Sequence, residues 1–553
     1  MKKPLFTQFP VTSHTDFITP GGTFVVIKGQ KDDGVHYIAQ ALERGAKKIV
    51  IENDTQLDQV TLDLLKNNNA TLERVENSRK ALAFLSAQAA DNPAKSLKIF
   101  GVTGTKGKTT TSWMLAHMLK TLGKKVACLT TAQIMFATGN PADTFDEYEL
   151  TAPLTTPQPD YLHQFLKLCV DKGIEYVVLE VAAQAMTFNR IDGIMFDGII
   201  FTNLDREHGE LYPSMELYFK EKQKLFDYAK ADAAILINND DEYGKRLIQL
   251  IPHAKSFGLY TQGAFRHTKD DHDYYDLAGL ATHNGAVIED TIPEQKVFIG
   301  DAQGDNQLTF TYHGFPGAYN FYNFLGGISL LSEKGFDLTP LSTNSIEIAP
   351  IPGRLQFFRL PNKAIACIDY AHTAASFEAV LTTMREFASH LIVVFGAGGG
   401  KDSFKRSLMG RAAGKLADYV VITDDNPRDE DPKKITKQIL DGVKPKHKSK
   451  VIVEHDRYLA VLKAYYESRA GSIIMLLGKG VDEGQMIKGV NHEYSDKEAL
   501  SLIWQMTAFA QKTPLEELVK KFELETEFES DLEDKSLKQP AQSDLSEPTT
   551  PNK

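Results

Sequence analysis

Short apolar runs, each about one strand long, recur along the chain, and stretches with helix-like apolar spacing separate them. Thr23–Lys28, Lys48–Glu52, Lys98–Val102, Val126–Leu129, Tyr176–Glu180, Gly198–Thr202 and Ala234–Asn238 read as strands in the first half. Ala364–Asp369, Leu391–Phe395, Tyr419–Thr423, Val451–Glu454 and Ser472–Leu477 resume the pattern in the second. A helix is expected near Ile38–Arg44 and another from about Thr109. Apolar strands alternating with amphipathic helices predict an α/β protein built on mainly parallel sheets. The stretch from Gly258 to Thr311 is less helical and reads as β-hairpins, and the prolines of Thr339–Pro352 mark a boundary. Four segments are expected: 1–95, 96–338, 339–510, and a tail, 511–553. There is no tandem repeat.

At 553 residues the chain exceeds what one core can fill. Its 42% apolar and 24% charged residues are those of an ordinary globular protein. No apolar run approaches the roughly 20 residues that span a bilayer, and the start MKKPLFTQFPVTSHTDF has no signal-peptide core. Membrane insertion is not expected, and a cytoplasmic monomer is. Cys128, Cys169 and Cys367 are too few and too scattered for a disulfide framework or metal knuckle, and read as small buried hydrophobes. The net charge is −11, and Pro514–Lys553 alone holds eleven Asp and Glu against five Lys. The body is therefore mildly acidic, which argues against a nucleic-acid partner. Leu515–Phe528 has helical spacing. The polar, proline-containing remainder reads as a disordered end or a partner-docking tail.

The run Gly101-Val-Thr-Gly104-Thr105-Lys106-Gly107-Lys108-Thr109-Thr110-Thr111 follows a strand and opens a helix. Glycines at such a turn let backbone N–H groups face phosphate oxygens, and the helix N-terminus adds partial positive charge. Lys108 can reach the β- and γ-phosphates, and the Thr109 hydroxyl can ligate Mg²⁺. Val102 stands where the G-x-x-x-x-G-K-[ST] pattern has its first glycine.

GTKGKTTT resembles the ATP loop of the Mur ligases, the ATP-dependent amide-forming enzymes of peptidoglycan synthesis. Motifs from about residue 20 to 500 narrow the resemblance to MurE, the branch that adds the third amino acid of the stem peptide. That implies a three-domain architecture with a central P-loop ATPase-like domain and a Rossmann-like C-terminal domain. The implied reaction joins a diamino acid to UDP-MurNAc-L-Ala-D-Glu through an acyl phosphate, with ATP and Mg²⁺. Within the resemblance, Glu180 ends a strand as a Mg²⁺ ligand. FTNLDREH (Phe201–His208) resembles FTNL-x-x-DH and offers His208 to a second Mg²⁺. Lys222 falls at the carbamylated lysine. Asn320 and Asn323 match the asparagines that support adenine, Arg354 the arginine near the phosphates, and Asp369 the ribose contact in DYAHT.

At the acceptor end, Lys401 sits where diaminopimelate ligases have arginine, and Asp425-Asn426-Pro-Arg428 matches their DNPR. A buried Arg428 gripping the distal carboxylate would reject lysine, because that ligand leaves it unpaired. Gly478-Lys-Gly-Val-Asp482 departs from GKGHE, and with GTKGKTT it looks closer to lysine-adding relatives. meso-Diaminopimelate is favoured, with L-lysine second. At the UDP-sugar end Ser13, Thr155, Thr156 and Arg190 match substrate contacts. Ala182 and Ala183 replace a Ser-Ser pair, however, and Phe188 replaces a glutamine. Lost hydroxyls and an amide remove hydrogen bonds worth about 0.5–1.5 kcal/mol each. The alternatives are an amide ligase with another acceptor, such as a polyglutamate-adding enzyme, and a nucleotide-binding regulatory paralogue.

Overall fold

The computed structural model describes residues 5–29, 32–148, 154–205, 211–259, 266–269, 272–275, 281–290, 294–301, 307–400 and 403–511. The chain gathers into two compact units. The first takes Met1–Ile288, Lys296–His313 and Tyr319–Ala349, and the second takes Pro350 onward with two short insertions.

The first unit contains a small parallel sheet, Phe9–Thr12, Ile18–Val25, Lys48–Glu52 and Thr71–Val75, in sequential order. Its second sheet centres on six parallel strands. In spatial order they are Lys255–Leu259, Ala229–Asn238, Phe196–Phe201, Lys98–Thr103, Tyr176–Glu180 and Val126–Leu129. Four of them, Phe196–Phe201, Lys98–Thr103, Tyr176–Glu180 and Val126–Leu129, are buried almost end to end, as parallel strands covered on both faces are. Ile99, Val177 and Leu179 are buried in one core with Leu162, Phe165 and Leu166 of the helix Pro159–Asp171. Ile134–Phe136 and Asp146–Tyr148 extend the Val126–Leu129 edge antiparallel.

Four expected strands, Lys48–Glu52, Val126–Leu129, Tyr176–Glu180 and Ser472–Leu477, have their predicted bounds. Others start earlier than their apolar runs: the strand placed at Thr23–Lys28 is Ile18–Val25, and that placed at Ala234–Asn238 is Ala229–Asn238. In both, a single residue, Ile18 or Ala229, pairs ahead of the apolar run, and the register shifts before pairing resumes at Thr23 and Ala234, an early start that hydropathy does not register. In the Gly258–Thr311 stretch, Arg266–Lys269 and His272–Tyr275 form an antiparallel pair. Ile346–Glu347, just past the proline-marked stretch's start, pairs with Leu308–His313 inside the first unit. The three cysteines are free and buried, and burial pushes their thiols up.

The second unit holds a six-stranded sheet in the order Gln356–Arg359, Ile365–Asp369, Ser472–Leu477, His390–Phe395, Tyr419–Ile422 and Val451–Val453. Only the first of these runs antiparallel to its neighbour. Its loops at the strands' C-terminal ends carry DYAHT, the glycine run after Phe395, DNPR and GKG, where open α/β sheets place ligand-contacting residues. The predicted tail helix Leu515–Phe528 lies outside the described residues.

Candidate active site

The strand Lys98–Thr103 ends in the glycine turn, and the helix Lys108–Thr121 starts directly after it. Gly107 is the N-cap, with φ of 81° and no side-chain cap. A side chain there would be strained and would overlap Asn323 Oδ1. The first turn's N–H groups are therefore left to a ligand.

Three tethers shape this loop. Asn203 accepts the Lys106 N–H at Oδ1 over 2.9 Å and donates back to the Lys106 carbonyl at 3.0 Å. Thr202 Oγ1 donates to that same carbonyl at 2.6 Å. Thr105 Oγ1 accepts the Asp205 N–H at 2.9 Å. The strand Phe196–Phe201 is next to Lys98–Thr103 in the sheet, so the FTNL segment leaving it meets the loop side by side. Sequence reasoning read this segment for His208 alone and missed Thr202 and Asn203 as the loop's clamps. Their signal was present: polar residues directly after a strand neighbouring the phosphate-loop strand.

Glu180 is 2% exposed, at the end of the strand on the other side of Lys98–Thr103. Its Oε2 accepts from Thr109 Oγ1 at 2.9 Å, Thr131 N–H at 2.8 Å and Thr131 Oγ1 at 3.0 Å. Lys108 Nζ is 4.0 Å from Oε1 and donates to the Thr105 carbonyl at 2.9 Å. Lys222 is buried on the helix Met215–Gln223 and donates from Nζ to the Gly104 carbonyl at 2.7 Å. Asn323 accepts from Thr111 Oγ1 at 3.0 Å and donates to Asn320 Oδ1 at 3.2 Å. Lys108, Thr109, Glu180, Lys222 and Asn323 thus surround one loop.

The same strand end reaches a second cluster. Thr156 Oγ1 donates to the Glu180 carbonyl at 2.9 Å and accepts the Ala182 N–H at 3.0 Å. Arg190 Nη1 donates to the Thr156 carbonyl at 3.0 Å. Thr155 is half-buried beside it. Near Ser13, the preceding Thr12 donates to the buried Asp160 carboxylate at 2.7 Å. Burial pushes Asp160 up, against its hydrogen bonds from Thr12 and neighbouring N–H groups.

In the second unit Asp369 Oδ2 accepts the Leu355 N–H at 2.9 Å and Oδ1 the Ala371 N–H at 2.8 Å. Burial raises it, while nearby Arg354 opposes the shift. Arg354 lies over the Tyr370 ring at 4.8 Å. The Gly478 N–H donates to the Asp369 carbonyl at 3.1 Å, joining GKG to DYAHT. Gly399 donates to the Asn426 carbonyl at 2.9 Å, and a Cβ there would overlap the Pro427 carbonyl. Asn426 Nδ2 is 3.4 Å from Asp482 Oδ2.

Against this chain's sequence, the model of the Mur ligase middle domain matches residues 102–331, and that of the Mur ligase glutamate ligase domain matches 353–480. A UDP-N-acetylmuramoyl-L-alanyl-D-glutamate–2,6-diaminopimelate ligase of Phocaeicola vulgatus is 34% identical over 490 residues, 87% of this chain and 92% of that protein. The chain belongs to the Mur ligase family. The enzyme of the same name from Aquifex aeolicus is 33% identical over 494 residues, 89% of this chain and 93% of its own length. A solved structure with that name superposes with a TM-score of 0.59 at 23% identity, covering 92% of this chain and 96% of its own. The ADP complex of MurF from Thermotoga maritima gives 0.55 at 17% identity, covering 86% and 95%. The Mur ligase fold is thus established.

Two predicted site residues of this Mur ligase, His208 and Lys401, lie outside the described residues. One expectation is corrected: Arg428 is exposed, not buried. It has φ of 55°, and its backbone N–H donates to the Met486 carbonyl while its carbonyl accepts from Lys488, both at 2.8 Å. Turn geometry therefore lifts its side chain outward. Arg457 is buried in this unit, and so is Arg406, which carries no role in the sequence reading. Arg406 forks onto Glu430 at 2.9 and 2.7 Å and donates to the Gly398 carbonyl at 2.9 Å. Arg406 holds the Glu430 carboxyl down at about 2.

Among the described residues no three His, Cys, Asp or Glu cluster as metal ligands. A carboxylate and a threonine hydroxyl at a phosphate loop nonetheless fit Mg²⁺, which takes few protein ligands and completes its shell with phosphate and water. No helix among the described residues is long and apolar enough to cross a membrane.

Proposed function

We propose that this Mur ligase joins meso-diaminopimelate, in preference to L-lysine, to the D-glutamyl residue of UDP-MurNAc-L-Ala-D-Glu at the expense of ATP. The observation that carries the reading is the position of Glu180. Its side chain receives the Thr109 hydroxyl of the phosphate loop, while its backbone carbonyl receives Thr156, which Arg190 holds in turn. The groups assigned here to phosphate and to the peptide acid thus share one strand end.

The loop from Gly104 to Thr110 binds the triphosphate through backbone N–H groups, and Lys108 neutralises its terminal charge. Asn320 and Asn323 support the adenine, and Arg354 and Asp369 serve the nucleotide's phosphates and ribose. Thr109 and Glu180 would hold Mg²⁺, and His208 with a carbamylated Lys222 would hold a second ion. Bound there, Mg²⁺ would lessen the repulsion between the incoming carboxylate and the γ-phosphate. Ser13, Thr155, Thr156 and Arg190 position the peptide acid. Its carboxylate attacks the γ-phosphorus, ADP leaves, and the resulting acyl phosphate is opened by the acceptor's amine, releasing phosphate. Lys401, Asn426, Arg428, Gly478 and Asp482 orient that acceptor. The relatives' named use of diaminopimelate and the DNPR motif support the acceptor. A division at about residue 95, with the second boundary moved from about 339 to Ala349–Pro350, a monomeric state and a cytoplasmic setting, where ATP and UDP precursors occur, complete the proposal.

The test is phosphate release from ATP with the UDP-muramoyl dipeptide, adding each diamino acid in turn. Turnover with diaminopimelate and little with lysine supports the reading. A folded, ATP-binding protein that turns over with neither is a regulatory paralogue instead.

A further inference from the structure

Phe188 carries two guanidinium groups. The Arg79 guanidinium lies 4.9 Å from its ring centroid and that of Arg190 lies 5.3 Å away. Arg79 comes from the start of the helix Ser78–Ala89, outside the span matched to the Mur ligase middle domain. Arg190 follows the short helix Ala183–Thr187, where Asn189, at φ of 52°, turns the chain so that the Arg190 N–H returns to the Ala185 carbonyl at 2.8 Å.

Like charges brought to one ring repel, and the structure supplies little to offset them. Neither arginine forms an ion pair among the described residues. Arg79 donates to the Lys28 carbonyl at 3.1 Å and Arg190 to that of Thr156. Glu52 is the acid whose charge reaches Arg79, but its Oε1 is taken by the N–H and hydroxyl of Ser78 at 2.9 and 2.8 Å. Arg190 is 7% exposed, and its Nε has no hydrogen-bond partner among the described residues. Burial, then the charge of Arg79, lowers Arg190 to about 10. A buried, unpartnered guanidinium N–H beside a second cation is costly unless an anion completes it. A planar carboxylate matches the guanidinium fork.

We propose that Arg79, set beside Arg190 by the Phe188 ring, is a specificity-determining residue that grips the carboxylate of the D-glutamyl residue that does not react. The inference rests on the function proposed above for the choice of carboxylate, though the receptor itself stands on the geometry. A reacting carboxylate held by two arginines would lose nucleophilicity, so the pair is assigned to the other one. The Phe188 ring face supports both cations.

The experiment compares wild type, Arg79→Gln and Arg79→Lys in calorimetric binding of UDP-MurNAc-L-Ala-D-Glu and of its analogue with the non-reacting carboxylate amidated. Circular dichroism checks the fold, and steady-state kinetics run alongside. Wild type is expected to prefer the acid by roughly 10-fold or more, since hydrogen bonds to charged groups are the stronger ones. Arg79→Gln should raise Kd and KM for the acid by a similar factor, leave the amide unchanged and keep kcat within about threefold. Arg79→Lys should recover part of the preference. Equal affinity of wild type for acid and amide, or an unaltered preference in Arg79→Gln, overturns the inference, as does failure of wild type to bind the acid. Preferential binding that depends on Arg79 but leads to no phosphate release keeps the receptor and sinks the ligase reading instead.

Discussion

The hydroxyl of Thr109 and the carboxylate of Glu180 meet at 2.9 Å, although 71 positions separate them in the chain. Their strands, Lys98–Thr103 and Tyr176–Glu180, are parallel neighbours with Val102 opposite Glu180. Parallel register therefore delivers the strand-end acid to the level of the loop that follows the adjacent strand. Replacing Glu180 with Gln keeps an acceptor for the Thr109 and Thr131 donors but removes the charge. The protein should fold, and the Mg²⁺ concentration for half-maximal phosphate release should rise at least about tenfold. An unchanged Mg²⁺ titration would remove Glu180 from the metal site.

Lys108 is half-buried and held toward the Thr105 carbonyl, an interaction that the triphosphate proposed above would replace. In Lys108→Ala, turnover should fall by about 10²–10³-fold, the loss seen when one oxyanion donor is removed, with an unchanged circular dichroism spectrum. Full activity in this variant would falsify the loop assignment.

The Arg406–Glu430 pair ties the glycine loop after Phe395 to the loop that follows DNPR. Arg406→Met leaves Glu430 without its fork, and because Glu430 itself reaches solvent the loss is that of hydrogen bonds to a charged group, about 1.5–3 kcal/mol. The second unit should melt earlier, with KM for the diamino acid raised more than KM for ATP. Equal melting temperatures for variant and wild type would show the pair to be dispensable.

His117 and His163 set an acid limit. His117 Nδ1 meets the Trp113 carbonyl at 2.9 Å and Nε2 accepts the Ala349 N–H at 3.1 Å, which requires the neutral ring. Burial lowers both histidines to about 4. The unfolded chain, with histidines near 6.5, then binds more protons than the native one. Stability is therefore full above about pH 6.5 and declines down to about pH 4, by about 3 kcal/mol per histidine. Urea unfolding of wild type and His117→Asn from pH 7.5 to 4.5 checks this. The variant should start less stable and fall less steeply, and parallel profiles would exclude His117.

Arg428 bears on the acceptor. Exposed on a left-handed turn, it is free to meet an incoming carboxylate. Arg428→Ala should raise KM for diaminopimelate by about tenfold or more and leave that for ATP unchanged. A wild type that uses only lysine would reverse the acceptor assignment.

The strand, glycine turn and helix start around Lys108 were legible in the sequence, because they are contiguous and their geometry is local. The alternation of buried runs likewise sufficed for an α/β fold, since parallel strands covered on both faces must be apolar throughout. The sequence could not show that Asn203 and Thr202 clamp the loop, nor that Thr156 and Thr109 share Glu180, because sheet order decides which strand ends are neighbours. It misjudged Arg428 and passed over Arg406, since burial of a cation depends on whether a remote acid such as Glu430 is brought within hydrogen-bond range. The meeting of Arg79 and Arg190 on Phe188 is of the same kind: more than a hundred residues of intervening chain contribute nothing to it locally, and only packing puts the two charges on one ring.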